Sequence, residues 1–477
     1  MAQAQFGMIG LGTMGRNFLL NVAEQGFSCV GYDLDESKRQ LLAAEGEQFK
    51  IATADDVKAF VAALELPRKI MLLVPAGPIV DSVINDLLAH LEPGDIIIDG
   101  GNSHFSDTER REEFLAKSNI AFLGVGVSGG EEGARHGASI MAGGRPEVYE
   151  HVRPIFEAAS AKVNGDPCAA HVGKGSAGHF VKMVHNGIEY GLMQLIAEAY
   201  DLLNRGYRMP APQIADLFAE WNRGELNSFL IEITSIVLRK VDEETRQPLV
   251  DLILDTAGQK GTGKWTSQVA MDLGVPIPTI DSAVTMRQIS AQKAERVAVA
   301  KKLASGSPPY EGGGEAASAD GVALALHDVR DGLHLAFILT YAQGLSLLRT
   351  ASEEKSYELD MIEIAKIWRG GCIIRAALLK DIRKAYELET GLESILHSDV
   401  FVPTIRKEQA LLKAFVHFAV SADIPCMAAG ASLNYLKAFA AERLPANLIQ
   451  AQRDFFGAHT YQRIEKDGIF HTPDWAE

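Results

Sequence analysis

The chain has 477 residues, 47% of them hydrophobic and 23% charged, with a formal net charge of −16. That length exceeds one ordinary hydrophobic core, so two or three domains are expected, and the acidic balance argues against nucleic acid or an anionic membrane surface as a main partner. No uncharged run reaches the roughly 18 residues of a membrane span, and the N-terminus enters an apolar strand at Phe6 without a basic leader, so a cytoplasmic protein is expected.

From the N-terminus, the apolar runs "FGMIG", "CVGYD", "IMLLV", "DIIIDGGN" and "IAFLGVGVSGG" are spaced by stretches of helical periodicity. Strands spaced by helices predict an α/β domain over residues 1–177, with a mostly parallel sheet covered on both faces. Gly10, Gly12 and Gly15, with Leu11, Thr13 and Met14 between them, follow the first strand and open a helix, and Asp33 ends the second strand. Glycines at that spacing let the backbone approach a pyrophosphate, the helix start lends amides and partial positive charge, and an acid about 20 residues on accepts from ribose hydroxyls. A Rossmann-like dinucleotide-binding domain is therefore expected. A 2′-phosphate beside Asp33 would meet like charge at about 4 Å, costing on the order of a few kcal/mol at an effective dielectric of about 20, which favours NAD over NADP.

After about Gly178 the strand patterns stop, and residues 178–440 read as an all-helical domain. It opens with "HFVKMVHNGIEYG", in which Lys182, His185, Asn186 and Glu189 fall on one helical face and Phe180, Val181, Val184, Ile188 and Leu192 on the other. A lone lysine on a helix more often snorkels to water, and a lone glutamate is more often a surface charge; here an amine and a carboxyl sit about two turns apart beside an imidazole and an amide. "YGLMQLIAEAYDLL" from Tyr190 is echoed by "YAQGLSLLRTASEE" from Tyr341, each followed by a Trp-x-x-Gly pattern, at Trp221–Gly224 and Trp368–Gly371. An internal helical duplication is the expectation. Between lie the turn cluster "GQKGTGKW" and the stretch "SGSPPYEGGGEAASADG" at 305–321, which reads as a solvated loop. Residues 441–477 form a tail with no clear face of its own but too many aromatics to lie idle in water, so it is expected to dock on something. Cys29, Cys168, Cys372 and Cys426 make neither a disulfide framework nor a metal motif and are expected to be reduced. No His/Asp/Glu cluster suggests a bound metal.

Read with the glycine loop, "DGGNS" (Asp99 to Ser103), "GVSGGEEGARHGASIMAGG" (Gly126 to Gly144), the helix from His179, "GQKGTGKW" and "LPANLIQAQRDFFGAH" make the whole chain resemble the decarboxylating 6-phosphogluconate dehydrogenases. The resemblance implies oxidation at C3 of 6-phosphogluconate, loss of C1 as carbon dioxide and release of ribulose 5-phosphate, a step of the pentose phosphate pathway. It further implies Lys182 as the base that takes the 3-hydroxyl proton and returns it to the ketone oxygen, and Glu189 as the acid that protonates C1. Ser128, Gly129 and Gly130 match the carboxylate-binding turn, Asn102 and Asn186 the sugar and nicotinamide contacts, and His185 an assistant at the reacting end. Tyr190, Lys260, Thr262, Arg287 and Arg453 match phosphate ligands, with His459 beside the sugar. Arg453 and His459 lie on a tail that, by the same resemblance, threads into the partner subunit of a homodimer. One departure stands out: Asp33-Leu34-Asp35 replaces the Asn-Arg-Thr of NADP-using members, and Val74-Pro75-Ala76 has proline where many relatives have lysine. Both point to NAD, although Lys38 and Arg39 remain nearby. The alternatives are a β-hydroxyacid dehydrogenase for a non-phosphorylated acid, against which Lys260, Arg287 and Arg453 argue, and a non-catalytic dinucleotide-binding protein, against which Lys182 and Glu189 argue.

Overall fold

The computed structural model describes residues 3–304 and 324–475. The stretch 305–321, expected to be a solvated loop, lies outside the described residues.

The N-terminal domain carries β1 (Phe6–Ile9), β2 (Cys29–Tyr32), β3 (Ile51–Thr53), β4 (Lys69–Leu72), β5 (Ile96–Asp99), β6 (Ala121–Ser128), β7 (Ser139–Gly143), a short ribbon of β8 (Lys162–Val163) and β9 (Asp166–Pro167), and β10 (Ala169–Gly173). Eight of these form one sheet in the order β10-β7-β6-β5-β4-β1-β2-β3. Pairing is parallel throughout except at β6–β7, where the chain reverses. Because helices cover both faces, the central strands are buried on both sides, and their sequences are continuous apolar runs rather than alternating ones. The expected α/β class and mostly parallel sheet are found. Three strands were not legible: β3 is three residues on a half-exposed edge, and "SIMAG" and "AAHVG" of β7 and β10 are short and rich in alanine and glycine, which favour no strand.

After β10 the chain enters the helix Ala177–Asp201, which carries the residues singled out above. Its first turns rest on β6 and β7 and its later turns on the 29-residue helix Leu326–Glu354. It is therefore wrapped on almost every side: Lys182, His185 and Asn186 are as enclosed as Phe180 and Val184. The expected division into a reactive face and an apolar back holds for chemistry but not for burial. The helical domain builds the largest apolar core around these two long helices. Its two halves run in the same order, a long helix followed by the helices Ala211–Trp221 and Phe229–Arg239 in one half, and by Met361–Ile367 and Leu378–Leu388 in the other. The halves meet where Ser228 bridges Ala376, with Phe229 N donating to Arg375 O (3.0 Å) and Ala377 N to Asn227 O (2.8 Å). Among the described residues no helix is long and apolar enough to cross a membrane.

Candidate active site

Lys182 extends from the second turn of the long helix over β6, where Gly126 has no side chain; a Cβ there would overlap the Cβ of Lys182. Lys182 Nζ lies 3.4 Å from His185 Nδ1, which also contacts Asn186 Oδ1 at 3.1 Å and stands 4.0 Å from Glu189 Oε2. His185 Nε2 reaches Ser128 Oγ at 3.3 Å. One enclosed chain of groups thus runs from the end of β6 to Glu189. Burial pushes the Lys182 ammonium below its ordinary pKa, opposed by the nearby Glu189 carboxylate. Burial, reinforced by the Lys182 charge, holds His185 well below the ordinary imidazole value, so it is neutral. Burial raises Glu189, opposed by Lys182 and Arg287. An amine eased toward its neutral form and a carboxyl eased toward its protonated form are what a base and an acid on one helix need.

Ser128 ends β6, and Gly129 and Gly130 complete with it the tight turn that the sequence suggests. Gly129 has φ 115° and Gly130 φ 62°, conformations that favour glycine, and successive amides in such a turn converge on an anion. A segment more than 240 residues away by sequence braces it. A Cβ on Gly129 would stand 2.5 Å from Gly371 O, and that same carbonyl accepts from Ser139 N at 2.8 Å. Trp368, fully buried, sets its ring edge-on to His185 with centroids 5.7 Å apart. Its indole Nε1 contacts Met141 Sδ at 3.4 Å. Cys372 Sγ donates to Trp368 O at 3.0 Å, and its thiol, close enough to feel the Lys182 charge, is pushed up to about 12 by burial. Sequence reasoning missed Gly126, Trp368, Gly371 and Cys372 as site residues. In the sequence, Trp368–Gly371 marks only one half of the repeat.

Further along the helix, the Arg287 guanidinium stacks over the Tyr190 ring at 3.6 Å, and Arg287 Nη1 donates to Gly258 O at 2.8 Å. Tyr190 also packs on Gly263, next to Thr262, the first residue of the helix Thr262–Asp272. Thr266 of that helix ties it to the site by donating to Met183 O at 2.9 Å. Lys260 is exposed just before it. Tyr190 and Arg287 therefore form one cluster, with Arg287 as its cation acting on Glu189 and Thr262 beside Gly263 at its edge. Asn102 is exposed in the turn after β5, whose Asp99 accepts from Gly101 N (3.1 Å), Ser103 Oγ (2.6 Å) and the buried Arg111 (3.2 Å). Arg453 and His459 are not brought to this site by their own chain. Arg453 bonds Gln450 and His459 meets Phe456, both within the tail.

The nucleotide loop has the shape the glycines implied. Gly12 caps the helix Thr13–Glu24 with no side-chain cap, and a Cβ on it would meet only open space, which leaves the first amides of Thr13, Met14 and Gly15 facing a cradle. Asp33 Oδ2 accepts from Leu11 N at 2.8 Å and Oδ1 from Asp35 N at 3.0 Å, fixing the carboxylate at the rim. These features fit a dinucleotide. Leu34 is 88% exposed beside it. Val74, half-buried, and the exposed Pro75 and Ala76 form the next rim after β4. Among the described residues no group of three or more His, Cys, Asp or Glu side chains is placed to hold a metal ion.

The N-terminal domain, over residues 5–173, matches the family model described as the NAD binding domain of 6-phosphogluconate dehydrogenase, and residues 178–475 match the C-terminal domain of the same enzyme. The chain is 49% identical over 478 residues to a Bacillus subtilis protein named 6-phosphogluconate dehydrogenase, NADP(+)-dependent, decarboxylating, with 100% of each chain covered. It is 48% identical over 477 residues to the decarboxylating 6-phosphogluconate dehydrogenase of Lactococcus lactis, covering 100% of this chain and 99% of the relative. Its fold superposes on Plasmodium falciparum 6-phosphogluconate dehydrogenase, a structure described with NADP+ and with 6-phosphogluconate, at a TM-score of 0.92, with 40% identity over 98% of this chain and 99% of that one. With both domains matched and the likeness running the full length, the chain belongs to the 6-phosphogluconate dehydrogenase family.

Proposed function

We propose that the protein oxidatively decarboxylates 6-phospho-D-gluconate to D-ribulose 5-phosphate and carbon dioxide. The observation that carries this reading is the enclosed pair of Lys182 and Glu189 on one helix face, flanked by the Ser128–Gly130 turn at one end and the Arg287–Tyr190 stack at the other. Ser128 and the amides of Gly129 and Gly130 hold the C1 carboxylate, and Arg287, Tyr190, Thr262 and Lys260 receive the phosphate. The bound nicotinamide dinucleotide supplies the oxidant for the hydride at C3. Lys182, in its unprotonated form, which burial favours, takes the 3-hydroxyl proton as hydride leaves, then gives it to the ketone oxygen as carbon dioxide departs. Glu189 delivers a proton to C1 of the resulting enediol. His185, neutral, and Asn186 keep the Lys182 amine oriented. Following reduced nucleotide and carbon dioxide with 6-phosphogluconate, and with a non-phosphorylated aldonic acid as control, tests the reading; equal turnover of both acids would overturn it.

The nucleotide is further proposed to be NAD in preference to NADP. Leu34 offers no charge to a 2′-phosphate, and the Asp33 carboxylate, with Asp35 beside it, repels one. The neighbouring cations are already engaged: Lys38 lies 3.4 Å from Asp33 Oδ2, and Arg39 donates to Asp33 O at 2.7 Å. The Bacillus subtilis relative is named NADP(+)-dependent, so the comparison of kcat/KM with both nucleotides decides the point. Asp33→Ala with Leu34→Arg should move the NADP/NAD ratio of kcat/KM upward by about tenfold or more; an unchanged ratio would remove the argument. The same reading places the divisions between nucleotide domain, helical domain and tail at residues 177 and 440, and has the tail complete the site of a partner subunit in a homodimer.

A further inference from the structure

The tail helix Ala446–Gly457 buries one residue, Asp454, while Leu448, Ile449, Phe455 and Phe456 all face outward. Beyond Gly457 the chain folds back on this helix. Ala458 and Thr460 both take left-handed backbone, with φ 50° and 60°, and place His459 at the apex of the turn. Tyr461 and Phe470 then exchange two backbone hydrogen bonds of 2.8 Å, and the Tyr461 ring packs on those of Phe470 and Trp475. Asp454 stands at the centre. Its Oδ1 accepts from Thr460 N and His471 Nδ1, both at 2.9 Å, and its Oδ2 from Thr472 N and Trp475 Nε1, both at 3.0 Å. Gln450 closes the circuit: its Oε1 accepts from Arg453 Nη1 at 3.0 Å and its Nε2 donates to Thr460 O at 2.5 Å. Among the described residues of this segment no hydrophobic side chain is fully buried, so these bonds order it.

We infer that Gln450 and Asp454 are positioning residues that lock Arg453 and His459 into one preformed unit, so that the tail presents both side chains to 6-phosphogluconate without having to order them on binding. The inference rests on the proposed role of the tail in the substrate site. Asp454 is suited to it because a carboxylate accepts at every position and all of its partners are donors, whereas an asparagine would set its amide N–H against two of them. Gln450 joins the arginine side chain to the backbone just past His459, so neither residue can shift without the other. Preorganisation of this kind appears in KM rather than in the chemical step.

The test uses the full chain, with 6-phosphogluconate and NAD as varied substrates. Asp454→Asn should raise the KM for 6-phosphogluconate by about tenfold, keep kcat within about threefold and leave the KM for NAD unchanged. In a background carrying Arg453→Ala with His459→Ala, the same substitution should add less than about twofold, because what it positions is gone. An equal rise in both backgrounds overturns the inference, since Asp454 would then act through general order of the tail. If the Arg453→Ala, His459→Ala background raises KM and Asp454→Asn does not, the clamp is refuted and the substrate role of the tail stands. If that background leaves KM unchanged, the tail has no substrate role and the clamp falls with it. Should Asp454→Asn lower the melting temperature of the whole protein, Gln450→Leu, which cuts only the bridge between Arg453 and Thr460, is judged by the same criteria.

Discussion

Lys182 has two properties that a surface lysine lacks: an environment that disfavours its charge, and a methylene stem laid across Gly126 so that its amine cannot swing to solvent. Replacing it by methionine keeps most of the volume and removes the amine. Lys182→Met should therefore melt close to the parent, bind nucleotide normally and lose at least about a hundredfold in kcat; a variant keeping more than about a hundredth of the rate would strip Lys182 of the base role. Gly129 offers a contrasting case at the same scale. Its φ of 115° and the carbonyl of Gly371 leave no room for a methyl, whereas Gly130, at φ 62°, faces open space. Gly129→Ala should cost on the order of 2–4 kcal/mol of stability and disable the carboxylate turn, and Gly130→Ala only about 1 kcal/mol. Thermal melts of the two alanine variants separate backbone strain from steric overlap.

The helix Ala177–Asp201 is where sequence and structure agree most and also where sequence runs out. Its spacing of Lys182, His185, Asn186 and Glu189 is local information, and the structure keeps these groups within reach of one another. The glycine loop was legible for the same reason, since strand, turn, helix and acid lie within one βα unit. Trp368, Gly371 and Cys372 were not legible, because the first two meet His185 and Gly129, and Cys372 lies within electrostatic reach of Lys182, from segments far away in the chain, and nothing in "WRGGC" alone says what it will touch. The same limit applied to β7 and β10, whose small residues are tolerated because neighbouring strands and helices enclose them. The helix as an element makes a prediction about pH. As the proposed base, Lys182 has to be unprotonated, and burial has lowered its pKa, so kcat/KM should fall toward acid below that depressed value. As the proposed acid, Glu189 has to keep its proton, and burial has raised its pKa, so activity should fall toward alkali above that raised value. Glu189→Gln holds no proton to lose. It should reduce kcat by about a hundredfold and abolish the alkaline limb while retaining the acid one; an intact bell-shaped profile would assign the acid to another group.

At the scale of the whole molecule, the net charge of −16 demands that an anionic substrate find a local basic island. A single chain supplies part of it, through Arg287 and the exposed Lys260. Arg453 and His459 stand apart on a tail whose Phe456 is 71% exposed, an arrangement that leaves a large apolar surface without cover unless another body provides it. If that body is a second copy, the site of one protomer is completed by the tail of the other, and the two defects of tail loss and Lys182 loss lie in different chains of a mixed dimer. A chain ending at Ala440 has the Lys182 site and no tail; a Lys182→Met chain has the tail and no base. Each alone should be inactive. Co-expressed in equal amounts, half of the dimers are mixed, and each mixed dimer has one complete site, formed by the truncated body and the tail of its Lys182→Met partner. The mixture should then recover about a quarter of the parental activity, with the KM for 6-phosphogluconate of the parent. A tail that served its own chain would leave every mixed dimer dead, because the only intact base would sit in the chain without a tail. Recovery or silence in that mixture therefore decides whether the site belongs to one protomer or to two.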